Sequence, residues 1–95
     1  MNKYELTLVL DGKTGVAKKN KVTETLKKLL DVFKGKIVDS KEWGVKDLMY
    51  KIGKSTTGLY LFFDLELAPE GVKSVNDKLR VDADILRFLL IRNDK

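Results

Sequence analysis

Asp64 and Glu66 stand two residues apart in an alternating segment, which puts both carboxylates on one side of a strand. Such a pair can hold Mg²⁺ or share a proton. A hard cation asks for more oxygen ligands than this pair supplies, and alternating acids are common on a solvated strand face. Gly12-Lys13-Thr14 matches the end of a phosphate-binding loop. The full motif needs another glycine five positions before Gly12, and Thr7 stands there. The wrap of backbone amides that would cradle a phosphate is therefore missing. Tyr60 and Phe62 share one strand face and could stack nucleobases. The chain has no His and no Cys. That removes the usual general base, the Ser-His pair, thiolate nucleophiles, disulfides and the common zinc ligands. A binding protein without a cofactor or metal is expected, not an enzyme.

The elements that position these residues fit one domain over residues 1–95. With 43% apolar residues the chain can build a single core. Lys and Arg number 19 against 14 Asp and Glu, a net charge of +5, which points first to a polyanionic partner. The charge is uneven. Residues 1–35 hold eight Lys and four acids, whereas residues 59–95 hold six basic and seven acidic side chains. Lys13, Lys18, Lys19 and Lys21 gather around the first helix's approach, where any lysine reaching a phosphate would release counterions. No apolar run nears the ~20 residues of a membrane span, and no signal peptide is evident. The lack of Cys suits the cytosol.

Tyr4 to Leu10 reads as a strand ended by Asp11-Gly12. Val22, Leu26, Leu29, Leu30 and Phe33 draw an apolar stripe down a helix beginning near Ala17 or Asn20. Gly35 is expected to close it in the left-handed conformation. Lys36 to Ile52 has strand composition without a clean period, and Gly44 marks a bulge in one long, bent strand. Residues 53–58 read as a loop. Leu59 to Leu67 alternates throughout, with odd positions apolar. Pro69 and Glu70 open a short helix with Val72, Val75 and Leu79 on its inner stripe, which Gly71 should weaken by roughly 1 kcal/mol relative to Ala. Ile85 to Arg92 is nearly continuous in apolar residues, as an inner or doubly covered strand would be.

The order β-α-β-β-α-β implies an α+β, ferredoxin-like fold: a four-stranded antiparallel sheet of order 4-1-3-2 with both helices on one face. Leu6, Leu8, Leu10, Leu61, Phe63 and Leu65 should meet the two helices in the core. The other sheet face is left bare. It should present Glu5, Thr7 and Val9, then Tyr60, Phe62, Asp64 and Glu66, and also Arg87, Leu89 and Ile91. Exposed apolar side chains in such number mark a partner surface. Tyr60, Phe62, Leu89 and Ile91 are the candidate partner-binding residues, unless the long second strand folds over them.

Gly44-Val45-Lys46-Asp47-Leu48-Met49-Tyr50-Lys51-Ile52 resembles a family signature. The family is the sixth protein of the bacterial small ribosomal subunit, and its pattern reads Gly, any, basic, polar, Leu, small, Tyr, any, Ile. The likeness runs along essentially the whole chain. It includes Tyr4-Glu5, Val9-Leu10, Gly58, Tyr60, Val81-Asp82 and Ile85-Leu86-Arg87-Phe88. Met49 departs from the pattern's small residue, Lys51 from a common Pro, Gly53 from a basic residue, and Asp47 from a frequent second basic residue. Little chain follows the last strand, so contacts through a longer tail are not expected. The resemblance implies a ribosomal structural protein in the cytoplasm. It implies binding to the central domain of small-subunit (16S) ribosomal RNA as a heterodimer with the eighteenth small-subunit protein. Lys46 and Arg87 match the family's basic positions, Lys3 and Arg92 sit at basic strand ends, and Tyr50 is the signature tyrosine. These five are the expected RNA-facing residues, with core packing near the bend the alternative for Tyr50.

Two other readings share the topology. An RNA-recognition module would carry basic-Gly-aromatic-small-aromatic on its third strand. Here Leu59, Tyr60, Leu61 and Phe62 follow Gly58, so the aromatics are one place off; generic single-strand binding by stacking stays open. The other is a small-molecule regulatory or acylphosphatase-like domain; that enzyme type would need an arginine beside a phosphate-cradling loop, and residues 11–21 hold Lys but no Arg.

Overall fold

The computed structural model describes residues 2–52 and 55–93, and for residues 49–52 the backbone alone. The elements are β1 (Asn2–Asp11), α1 (Val16–Val32), β2 (Lys36–Ile52), β3 (Ser55–Leu67), α2 (Pro69–Arg80) and β4 (Ile85–Arg92). The four strands form one antiparallel sheet of order β2-β3-β1-β4, the expected arrangement. Tyr4, Leu6, Leu8 and Leu10 of β1 pack with Leu59, Leu61, Phe63, Leu65 and Leu67 of β3 under the helices. Val22, Leu26 and Leu30 of α1 and Val75 and Leu79 of α2 close this core.

Helix α1 ends by a route different from the expected one. Lys34, not Gly35, is left-handed (φ 59°). The Lys34 amide donates to the Asp31 carbonyl (3.0 Å) and the Gly35 amide to the Leu30 carbonyl (2.8 Å), the paired bonds of a Schellman end. Gly35 is required for another reason. A Cβ there would stand 2.5 Å from the Glu66 carbonyl oxygen and 3.1 Å from Leu67 Cδ1. The chain passes so close to β3 that only hydrogen fits. Gly71 also serves packing. A Cβ on it would lie 2.9 Å from both Leu67 Cδ1 and Phe33 Cγ, so the glycine lets α2 settle against its neighbours.

Strand β3 begins at Ser55, earlier than the polar run Ser55-Thr56-Thr57 implies. Backbone pairing with β2 carries it there: Thr57 stands opposite Asp47 and Ser55 opposite Ile52. Gly53 and Lys54 lie outside the described residues. The start of β3 is tied to the end of β1. The Ser55 hydroxyl donates to Asp11 Oδ2 at 2.9 Å, and the Gly12 amide to the Thr57 carbonyl at 3.0 Å. Strand β4 is an edge strand, so its apolar run is not doubly covered: Leu89 and Ile91 are exposed.

Two consequences are measurable. Lys34→Gly removes the steric cost of a left-handed side chain and should raise stability by about 0.5–1 kcal/mol, whereas Gly35→Ala should lower it by about 1–3 kcal/mol through overpacking. Urea midpoints moving in the same direction for both would contradict this account. The Lys13 backbone amide, then the Ser55 hydroxyl, hold the Asp11 carboxyl below its usual range, with Lys13 and Lys18 adding positive charge nearby. A folded-state value below the unfolded one means the ionised form favours folding. That contribution is complete above about pH 4 and disappears as pH falls through the lowered folded value. Asp11→Asn should therefore flatten the acid limb of stability against pH, measured from about pH 5 to about pH 2.

Candidate partner and nucleic-acid interface

Cross-strand register places the uncovered side chains in rows. One row runs Gly44, Tyr60, Val9, Arg87. The next is Lys41, Phe62, Thr7, Leu89, and the next Asp39, Asp64, Glu5, Ile91. Beyond these, Lys36 faces Glu66, which faces Lys3. Leu89 is 58% and Ile91 45% exposed, as expected for the bare face. Tyr60 and Phe62 are half-buried.

Val9 departs from expectation: it is only 5% exposed. A Cβ on Gly58 would meet Val9 Cγ1 at 2.7 Å, Leu48 Cδ2 at 3.0 Å and Tyr60 Cε1 at 3.4 Å. These three side chains converge over the hydrogen of Gly58. Leu48 of β2 thus helps cover this end of the sheet, and the middle stays open.

Trp43 is the residue that sequence reasoning does not assign to this face. It is 62% exposed and rests on Phe62, with ring centroids 4.7 Å apart and planes tilted by 57°. The cause is a bulge. Glu42 stands opposite Leu61 and Gly44 opposite Tyr60, so Trp43 is the extra residue between them. Gly44 has φ +84°, a conformation that favours glycine. The signal available in the sequence is the Trp43-Gly44 pair at a break in periodicity. Trp43 and Phe62 line a groove of 370 Å³ together with Glu5, Thr7, Asp39 and Asp64.

The five residues expected to face RNA do not form one patch. Lys46 and Arg87 are exposed at the same end of the open face but on opposite edge strands. Three strand spacings of about 4.8 Å separate those edges. Lys3 lies at the other end of β1, six residues from the Arg87 row, or roughly 20 Å at 3.3 Å per residue. Arg92 stands opposite Tyr4 and so belongs to the helix-covered side, with its Nη2 3.5 Å from Asn2 Oδ1. Tyr50 lies within β2, and its side chain falls outside the described residues. The arrangement is a sheet face with an apolar centre and cations at its margins.

A family model described as Ribosomal protein S6 matches residues 3–92. The small ribosomal subunit protein bS6 of Phytoplasma mali is 32% identical over 94 residues, covering 99% of this chain and all of the relative. The protein of the same name from Parabacteroides distasonis is also 32% identical, over this whole chain and 80% of the relative. The crystal structure of 30S ribosomal protein S6 from Thermotoga maritima superposes with a TM-score of 0.86 at 22% identity, over 97% of this chain and 87% of that one, and shares the fold. With nearly every residue inside the family match and the βαββαβ sheet in the same arrangement, the chain belongs to the ribosomal protein S6 family of the small ribosomal subunit.

Proposed function

We propose that this chain, a non-enzymatic structural component of the cytoplasmic ribosome, binds small-subunit ribosomal RNA together with the eighteenth small-subunit protein. The observation that carries the reading is the uncovered sheet face: Trp43, Leu89 and Ile91 are exposed beside half-buried Tyr60 and Phe62. Burying a large apolar side chain contributes about 1.5–3 kcal/mol, so a protein partner seated there gains several such contributions. Association entropy and desolvation subtract from the sum. The cations at the margins, Lys46, Arg87 and Lys3, neutralise phosphates and set orientation, and shape does the recognising. A protein partner and an RNA partner held together raise each other's effective concentration, so RNA binds the pair better than either member.

Titrations with a central-domain 16S RNA fragment test the RNA half. Lys46→Ala and Arg87→Ala should each weaken binding modestly and reduce the salt slope by roughly one unit for every phosphate no longer neutralised. Unchanged affinity and slope in both variants would remove these residues from the interface. Phe62→Ala tests the protein half. It should cost about 1 kcal/mol of stability, against about 3 kcal/mol for the core truncation Leu61→Ala, while weakening capture of the eighteenth protein about tenfold. Equal stability losses with intact capture would place Phe62 in the monomer's own core.

A further inference from the structure

Asp39, Asp64 and Glu5 stand directly opposite one another across three adjacent strands, on the open face and against the groove under Trp43 and Phe62. Strand spacing puts the three carboxylates within about 10 Å. Like charges in opposing positions destabilise a sheet. Among the described residues the ion pairs are Lys18–Asp84, Lys19–Glu42 and Lys36–Glu66, and none includes these acids. Asp39 accepts from the neighbouring Ser40 amide (2.9 Å), and Glu5 from Asn93 Nδ2 (3.2 Å). Lys41, one row away, is the one cation among the described residues that line the groove. The acids are strung along a row instead of converging, and among the described residues no three acidic groups are placed to hold a metal ion.

From this geometry we infer that the centre of the open face is a docking site for a cationic, arginine- or lysine-bearing segment of a protein partner, and that it excludes RNA. The inference rests on the proposed reading of this face as a protein surface and adds the chemistry of its occupant. Three carboxylates outside any ion pair of the described residues repel phosphate. They also supply paired oxygens for a guanidinium, which makes two parallel bonds to a carboxylate. The exposed ring of Trp43 beside them offers a face on which the same cation stacks. Apolar stems of such side chains would lie over Phe62, Leu89 and Ile91. Phosphates are left to the sheet margins, where Lys46, Arg87 and Lys3 stand.

Trp43 is the single tryptophan, so its fluorescence reports on this groove. Wild-type protein is titrated with an oligo-arginine peptide, an oligo-glutamate peptide and a single-stranded RNA oligomer, alongside the variant Glu5→Gln/Asp39→Asn/Asp64→Asn. The arginine peptide should move the Trp43 emission saturably, and the variant should bind it at least about tenfold more weakly. The variant should melt at the same or a higher temperature, since opposed like charges are gone. Oligo-glutamate and RNA should leave the emission unchanged. The inference is overturned if wild type ignores the arginine peptide, if the variant binds it equally well, or if RNA moves the signal in its place. The eighteenth small-subunit protein is then titrated against both forms. Should it bind both equally, this inference falls and the proposed function stands. Should it bind neither while the acid-dependent arginine site persists, the proposed function falls and this inference stands.

Discussion

A strand sends successive side chains to opposite sides, and two helices of 17 and 12 residues shield only one side of this four-stranded sheet. The rest of the molecule answers that constraint. On the helix side the answer is dry packing: Leu6, Leu8, Leu10, Leu65 and Leu67 are essentially inaccessible to water. On the other side the chain solves the problem at one end only. There Val9, Leu48 and Tyr60 meet over Gly58, because a glycine in the middle of a strand lets three side chains share the space of one. Among the described residues no segment comes across the centre of the face, so Trp43, Leu89 and Ile91 remain in water.

Elements with an intact period are readable directly from the residues. β3 alternates from Leu59 to Leu67, β1 alternates until its apolar end at Leu8-Val9-Leu10, and α1 keeps its stripe, so the core, the strand order and most of the bare face follow from sequence. β2 resists because its register shifts, first between Ile37 and Asp39 and again between Glu42 and Gly44. Each bulge inserts one residue and reverses which positions face the helices. Alternation therefore exists in short pieces whose phases disagree, and Trp43 moves onto the open face without a periodic mark. Gly35 and Gly71 escape sequence reading for a related reason. Composition reports a glycine's freedom of conformation, whereas here the need is for closeness to Glu66 and Phe33, which belong to other parts of the chain. The proposed RNA-facing residues are the least legible. Lys3 and Arg92 are both strand-end cations in sequence, yet the pairing of Tyr4 with Arg92 puts that arginine on the opposite side from Lys3.

Net charge is also a poor guide to where charge acts. The chain carries +5, and α1 alone presents Lys18, Lys19, Lys21, Lys27 and Lys28 against Glu24 and Asp31. The open face is different in kind. Its bands run from cations at the Arg87 end, through aromatic and aliphatic side chains beside Lys41, to the acidic row, and then to a mixed row of Lys36, Glu66 and Lys3. Screening at physiological salt acts over about 8 Å, so the Arg87 row, four residues or roughly 13 Å along β1 from Glu5, is largely screened from the acidic row. A polyanion approaching this protein meets attraction at the margins of the sheet and repulsion at its centre.

The acidic row is hard to account for as a device for folding. Three carboxylates in register weaken the sheet that carries them, and Thr would serve a solvated strand face better. The neighbouring exposed tryptophan carries the same implication, since apolar surface left in water favours association. A surface that is both acidic and aromatic rejects nucleic acid by charge and accepts a cationic chain by charge and contact together. On the proposed reading, one sheet face meets two macromolecules without confusing them, because those partners differ in sign.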